Sequence, residues 1–397
     1  MQPLLVNTFT VTTALGRGVD ETVSALRAQR SGLQARSWET VNIPTCIGEV
    51  DGLDALDMRA DLQDFDCRNN RLAQLALEQD GFIKSVQVVA ERYGRERVGV
   101  FLGSSTSGIL SSELAYRQRD PVSGALPPGH SYRNTHNMFS VADFVRRYAD
   151  LHGPAYVVST ACSSSAKVFG IAKRMIGCGL IDAAVVGGAD SLCLTTLYGF
   201  NSLQLVSSRP CMPFDTRRDG ISIGEGAAFI LLERADNAQP NDILLSGVGE
   251  SSDAHHMSAP HPEGLGARLA VQAALDMAGL PPESIGYINL HGTGTPSNDA
   301  AEDLGVTSVF GTTTPCSSTK GHTGHTLGAA GGVEAVICAI ALRHGFMPGG
   351  VGTSTLDPGL HCNYLLENRE LSITHALSNS FGFGGSNCSL LFSRKSA

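Results

Sequence analysis

The stretch VVSTACSSSAKVFG, running from Val157 to Gly170, sets the reading of the whole chain. A β-branched run stops at a single thiol, Cys162. Serines and alanines crowd both sides of it, and an apolar pattern at helical spacing follows. Strand, small-residue turn and helix in that order make one α/β unit. Cys162, Ala166, Phe169, Ala172 and Ile176 recur near i, i+4, i+7 and give one apolar helix face. Ser163 to Ser165 form a small polar first turn, and Lys167, Lys173 and Arg174 decorate the other faces. A thiol at such a turn sits at the positive end of the helix dipole, which lowers its pKa and favours the thiolate. The small neighbours leave room for a bulky group to reach the sulfur. A small buried hydrophobe is the alternative fate of this cysteine.

The same pattern recurs outward from it. VGVFLGSSTSG (98–108), AYVVSTACSSS (155–165) and AAVVGGADS (183–191) each read as a strand ending in a small-residue turn. The second part of the chain offers IGYINLHGTGT (285–295), TPCSSTKGHTG (314–324) and HALSNSFGFGGSN (375–387). Two segments echo each other: VVSTACSSSAKVFGIAKRMI and PCSSTKGHTGHTLGAAGGVEAVICAIAL both pass from Ser-Thr through small residues into an apolar helix. This predicts an internally duplicated α/β protein. The seam falls near residue 240, in the polar RADNAQPND. Residues 1–240 then form a half carrying the thiol, and 241–397 a half carrying histidines.

Bulk properties narrow the class. The chain has 397 residues, 42% hydrophobic and 17% charged, with 45 glycines, which suits two ordinary domains or one double-lobed unit. A net charge of −9 argues against nucleic acid, whose phosphates need a basic surface. An acidic protein partner would need a local basic patch. The N-terminus MQPLLVNTFTVTTALG lacks the basic start and long apolar core of a secretion signal. No apolar run approaches the roughly 18–20 residues of a membrane span. The 10 cysteines show no CxxC pair or metal spacing. Free thiols in a reducing cytoplasm are the expectation.

Further residues could do chemistry. His291 follows the apolar INL and opens HGTGTPSND, at the C-terminal end of a strand, where α/β sheets bind ligands. Thr293 and Thr295 could hydrogen-bond an extended polar ligand; the glycines lack phosphate-loop or dinucleotide spacing. A loop histidine capping local backbone is the other reading. Lys320, His322 and His325 share SSTKGHTGHTLGAAGG. Their spacing invites zinc, but no acid or thiol joins them at ligand spacing, so no metal is expected. A buried neutral His325 would make an oxyanion donor. SFGFGGSN (380–387) sets two phenylalanines between glycines, a lid or a turn with core aromatics.

One thiol, two strand-end histidines, a lysine and a Gly-Phe loop in this order resemble the elongating β-ketoacyl-acyl-carrier-protein synthases. These are condensing enzymes of the thiolase fold, with two duplicated α/β halves in a five-layered α-β-α-β-α core. The resemblance spans nearly the whole chain. STACSSSAK is similar to the family's nucleophile segment and implies Cys162. HGTGTPSNDAAE implies His291, with Asp299 and Glu302 as supporting acids. SSTKGHTGHTLGAAGGVEA implies Lys320, His325 and Glu334, with Lys320 tied to Glu334 and tuning His325. NSFGFGGSN resembles the gating loop and implies Phe381 and Phe383, the latter giving an oxyanion-hole N–H beside that of Cys162. PFDTRRDGISIGEGAA (213–228) and SSDAHHMSAP (251–260) also match.

The resemblance implies decarboxylative condensation of a malonyl thioester with an acyl group held on Cys162, both delivered by an acyl carrier protein. The arm of that carrier would meet Thr293, Thr295 and Ser258, and the acyl pocket Thr106 and Phe200. No cofactor beyond the carrier's phosphopantetheine is implied. Arg68 and Arg71, in DCRNNRLAQLAL, are expected on an exposed helix face that docks the carrier. A homodimer, or a heterodimer with a cysteine-less homologue, is implied. A cysteine hydrolase and a non-elongating partner subunit are the rivals. Thr106, Gln204 and the glycine-poor N-terminus depart from the housekeeping fatty-acid enzymes, which points toward a dedicated pathway such as an aryl polyene or polyketide pigment.

Overall fold

The computed structural model describes residues 2–396. In the first half the strands are β1 (Leu4–Thr13), β2 (Val98–Gly103), β3 (Ala155–Val158), β4 (Ala183–Asp190) and β5 (Gly226–Arg234). In the second they are β6 (Ile243–Ser252), β7 (Tyr287–Asn289), β8 (Pro315–Ser317), β9 (His375–Gly382) and β10 (Ser386–Arg394). The first five lie in the order β3-β2-β4-β5-β1, the second five in the order β8-β7-β9-β10-β6. Directions match as well. β2 is parallel to β3 and β4, and β5 is antiparallel to β4 and β1. β7 is parallel to β8 and β9, and β10 is antiparallel to β9 and β6. The halves are copies of one unit. They join where β1 meets β6 at Leu4↔Leu245 and Leu5↔Leu244, and the repeated order breaks in the loop between Arg234 and Ile243.

Strand alternation builds the layers. Ala228, Ile230 and Leu232 of β5 face a central core shared with Phe169 and Ala172 of the helix Ser164–Gly177 and with Val336 and Ile340 of the helix Ala330–His344. The intervening Ala227, Phe229 and Leu231 face outward, onto the helices Arg68–Leu77, Phe82–Tyr93 and Ser140–Tyr148. In β10, Leu390 and Phe392 point to the centre, and Leu391 points to the helices Leu265–Ala278 and Pro296–Phe310. Helices therefore lie outside, between and outside two sheets, in five layers.

One apolar helix needs placing and one sequence expectation needs correction here. Leu327–His344 forms 18 helical residues apolar enough for a membrane span by length, and 89% of that stretch is buried. It is the central core helix, apolar all round because sheets cover it on both sides. Lys173, expected on a polar helix face, is 1% exposed and donates to the Gln2 carbonyl at 2.7 Å. All 10 cysteines are free.

Candidate active site

Both central helices begin at the same place. Cys162 sits two residues before the helix Ser164–Gly177, just after β3. Ala161 before it holds φ 52°, a left-handed turn that lifts the thiol out of the strand line. His325 precedes the helical stretch that leads into Ala330–His344. The duplication thus puts equivalent strand-to-helix turns face to face: His325 Nε2 lies 3.0 Å from Cys162 Sγ. His291 follows β7, and its ring meets that of His325 edge-on, with centroids 5.4 Å apart. Cys162 Sγ and one ring nitrogen from each of His291 and His325 lie within 4.8 Å of one another.

Hydrogen bonds set the tautomers. The Leu327 backbone N–H donates to His325 Nδ1 at 3.2 Å, so the ring proton of His325 is on Nε2, facing the sulfur. The Lys320 amine donates to His291 Nδ1 at 3.3 Å and also to the His291 carbonyl, which puts the His291 proton on Nε2 too. Burial, reinforced by the Lys320 charge, holds both imidazoles well below the usual histidine range. Both are neutral donors aimed into one space.

Lys320 forms the expected ion pair with Glu334, and burial pushes the Glu334 carboxyl up to about 7. Its direct contact is with His291, and it acts on His325 through its charge. The supporting acids hold backbone. Glu302 accepts from the N–H groups of His291 and Gly292, each at 2.7 Å. Asp299 accepts from Phe214 at 2.9 Å and Gly294 at 3.2 Å.

The thiol itself departs from expectation. Burial pushes Cys162 up to about 11, against the lowering effects of the Lys320 charge and of the Phe383 and Cys162 backbone N–H groups. In this closed site, desolvation of a thiolate outweighs the helix-end field. The N–H groups of Phe383 and Cys162 that act on the sulfur are the pair expected to form the oxyanion hole.

A cavity with about 50 Å³ of open space is lined by Cys162, His291, His325, Phe200, Phe381 and Phe383. Ser258, Thr293 and Thr295 line it as well. That space holds only a few waters, so a long acyl chain needs a wall residue to move. The Phe383 ring rests against Phe200, centroids 5.8 Å apart, and Phe381 lies 6.0 Å from His291. Gly384 and Gly385 hold φ 80° and 73°, a backbone open to rearrangement. Gly382 lies tight on the nucleophile turn, where a Cβ would stand 2.7 Å from the Thr160 carbonyl.

Three expected residues fall elsewhere. Thr106 is fully buried, gives its hydroxyl to Asp190 at 2.7 Å and does not line the cavity. Arg68 is not on an exposed face. Its side chain is 6% exposed and held by Glu225, Glu49 and Asp54. Arg71 pairs with Asp66 at 2.6 Å. Arg68 is taken up in a largely buried ionic network, and the partly exposed Arg71 is neutralised by Asp66. His322 and His325, the zinc-like pair, point apart: His322 faces two backbone carbonyls. Sequence reasoning missed Leu327, whose contribution is a main-chain N–H at φ 53°, and Asn387, which donates to Asp253 at 2.9 Å beside the cavity.

Residues 1–238 match the β-ketoacyl synthase N-terminal domain, and residues 244–353 match the β-ketoacyl synthase C-terminal domain. The chain belongs to the β-ketoacyl synthase family. It is 32% identical to 3-oxoacyl-[acyl-carrier-protein] synthase 2 of Vibrio cholerae serotype O1 over 415 residues, 96% of each chain. The mitochondrial 3-oxoacyl-[acyl-carrier-protein] synthase of Arabidopsis thaliana is 40% identical over 322 residues, 76% of this chain and 69% of that one. Among solved structures, the ketosynthase ApeO of Xenorhabdus doucetiae, in complex with its chain length factor ApeC, is 40% identical. It superposes with a TM-score of 0.90 over 99% of this chain and 98% of its own. This ketosynthase is an acyltransferase that elongates acyl chains by condensation in fatty-acid or polyketide-related synthesis.

Proposed function

We propose that Cys162 carries the growing acyl chain and that His291 and His325 together stabilise the enolate that attacks it. The observation that carries this is the 3.0 Å approach of His325 Nε2 to the sulfur, with Nδ1 occupied by the Leu327 N–H. The sulfur attacks an acyl thioester, and its proton leaves with the departing carrier thiol. The Phe383 and Cys162 N–H groups hold the oxyanion of that step. Malonyl-carrier then loses CO2, and its thioester oxygen takes up the negative charge. Two neutral Nε2–H donors meet that oxygen. The carbanion attacks the acyl group, the Cys162 thiolate leaves, and the β-ketoacyl chain departs on the carrier. No metal or redox group is needed, because loss of CO2 drives the new C–C bond. Phe383 acts as the gate: an acyl chain pushes its ring off Phe200 and opens the route to the histidines.

The chain works, in this reading, in the cytosol of a dedicated polyene or polyketide pathway, paired with a cysteine-less homologue. The 40% identity over nearly the whole length to a ketosynthase solved with its chain length factor supports this. So does Gln204, at a position where the family resemblance implies that a basic carrier-docking residue is common. Carrier docking falls to Arg209, whose half-exposed side chain shares its charge with the similarly exposed Asp219 at 3.6 Å and lies four residues beyond Leu205 of the cavity wall.

The test is mass spectrometry of the protein, alone and co-expressed with a cysteine-less chain-length-factor homologue, against a panel of acyl carriers. Native spectra should show a one-to-one pair. Intact spectra should show Cys162 loaded with unsaturated or ketide chains ahead of saturated fatty acyl groups. A homodimer that loads saturated chains preferentially would overturn the pathway and the pairing together.

A further inference from the structure

His322 lies between Lys320 and His325 and takes no part in the chemistry above. Lys320 and His322 are two apart on the short helix Lys320–Thr323, so their side chains leave roughly opposite faces, about 200° apart. Lys320 reaches forward to His291. His322 reaches backward and is fully buried. Its Nδ1 lies 2.9 Å from the Arg30 carbonyl oxygen and its Nε2 lies 3.0 Å from the Gly349 carbonyl oxygen. Burial holds the ring below the usual histidine range, so it donates to one carbonyl at a time while its rigid plane keeps both segments at a fixed separation.

The same segments grip the turn elsewhere. The Gly32 N–H donates to the His322 carbonyl at 2.7 Å, and the Ser31 hydroxyl to the Gly321 carbonyl at 2.8 Å. Gly321 packs so closely that a Cβ would stand 1.8 Å from the Val351 carbonyl. A helix of four residues has too few internal bonds to hold its own position. What holds it is the 30–32 segment on one side and the 349–351 segment on the other, and the His322 ring spans the two.

We propose that His322 is a positioning residue, a rigid strut that fixes the turn carrying Lys320 and His325 so that both imidazoles stay aimed at the reacting atoms. The proposal rests on the roles given above to His325 and Lys320. Few side chains could replace it. An aliphatic chain fills the volume and leaves both carbonyls unpaired; an amide can pair one of them but lacks the rigid ring that spans the two segments.

The experiment compares His322→Met, His322→Gln and a control, Val141→Ala, which opens a cavity under the opposite sheet. CO2 release from malonyl-carrier gives kcat and KM. Alkylation of Cys162 by iodoacetamide, followed by peptide mass spectrometry across pH, reports how firmly Nε2–H meets the sulfur. His322→Met should lower kcat about 10-fold or more with KM unchanged, and move Cys162 alkylation to higher pH. His322→Gln should fall between it and the wild type, and it carries the test if the methionine variant does not fold. Val141→Ala should lose thermal stability and change neither readout. Wild-type kcat and a wild-type alkylation profile in a folded His322 variant would overturn the strut, as would equal losses in Val141→Ala. The alkylation arm reads the turn directly, so it stays decisive even if His325→Ala shows that His325 does not serve decarboxylation.

Discussion

Cys162→Ala ends chain elongation, with a fall of about 10⁴-fold or more, while malonyl-carrier still loses CO2. The acyl group has nowhere else to go. Of the other thiols, Cys211 comes near the catalytic turn, where its Sγ–H donates to the Lys320 carbonyl at 3.3 Å. It is buried, does not line the cavity and has its pKa pushed up to about 11. It cannot receive an acyl group from a carrier arm. Decarboxylation survives because the groups that meet the enolate oxygen belong to His291 and His325, and the substitution touches neither. Alanine is smaller than cysteine and fits the same small-residue turn, so the variant folds. The measurement is β-ketoacyl product beside CO2, on one sample. Elongation near the wild-type rate would remove Cys162 from the mechanism.

His325→Ala costs about 10²–10³-fold in decarboxylation, the usual loss for one preorganised donor to a developing oxyanion. It also slows acylation of Cys162, because the same Nε2–H stands 3.0 Å from the sulfur. His291→Ala gives the similar loss in decarboxylation and spares acylation, since its ring meets Lys320 and Phe381 instead. The contrast between the two variants separates their roles. Burial and the Lys320 charge keep both rings neutral. The wild-type decarboxylation rate should therefore show no inflection from either imidazole, and any inflection near 7 belongs to Glu334 and persists in His325→Ala. A clear inflection there, lost in His325→Ala, would mean that an imidazolium does the work.

The reactive residues were legible in the sequence because each sits where a strand ends in small residues. That signal marks β2, β3, β4, β7, β8 and β9, whose C-terminal ends crowd around the site. It is silent for β5 and β10, which run antiparallel to their neighbours and end away from the chemistry, whereas β6 ends beside it, with Asp253 lining the cavity. The duplication was visible for the same reason, through the two echoing turns. Failures came where the outcome depends on which charges meet in space. Arg68 looks solvated on its own helix, yet Glu225, 157 residues away, turns it inward. Thr106 was expected at the acyl pocket, and Asp190 on the neighbouring β4 takes its hydroxyl. The thiol pKa followed the helix dipole in one dimension and the closed, desolvated site in three. Main-chain donors such as Leu327 leave no side-chain signature at all.

The central claim is that an acyl group on Cys162 becomes the acceptor of a decarboxylated malonyl unit. A single-turnover experiment tests it most directly. The enzyme is loaded stoichiometrically from an acyl carrier, freed of excess donor, and mixed with malonyl-carrier labelled with ¹³C. Intact mass spectra then follow enzyme and carrier together. The account predicts that the acyl mass leaves Cys162 as it appears on the carrier, lengthened by two labelled carbons, with one CO2 per transfer. Loss of the acyl mass as free acid, with malonyl-carrier unchanged, would contradict it and make this chain a hydrolase.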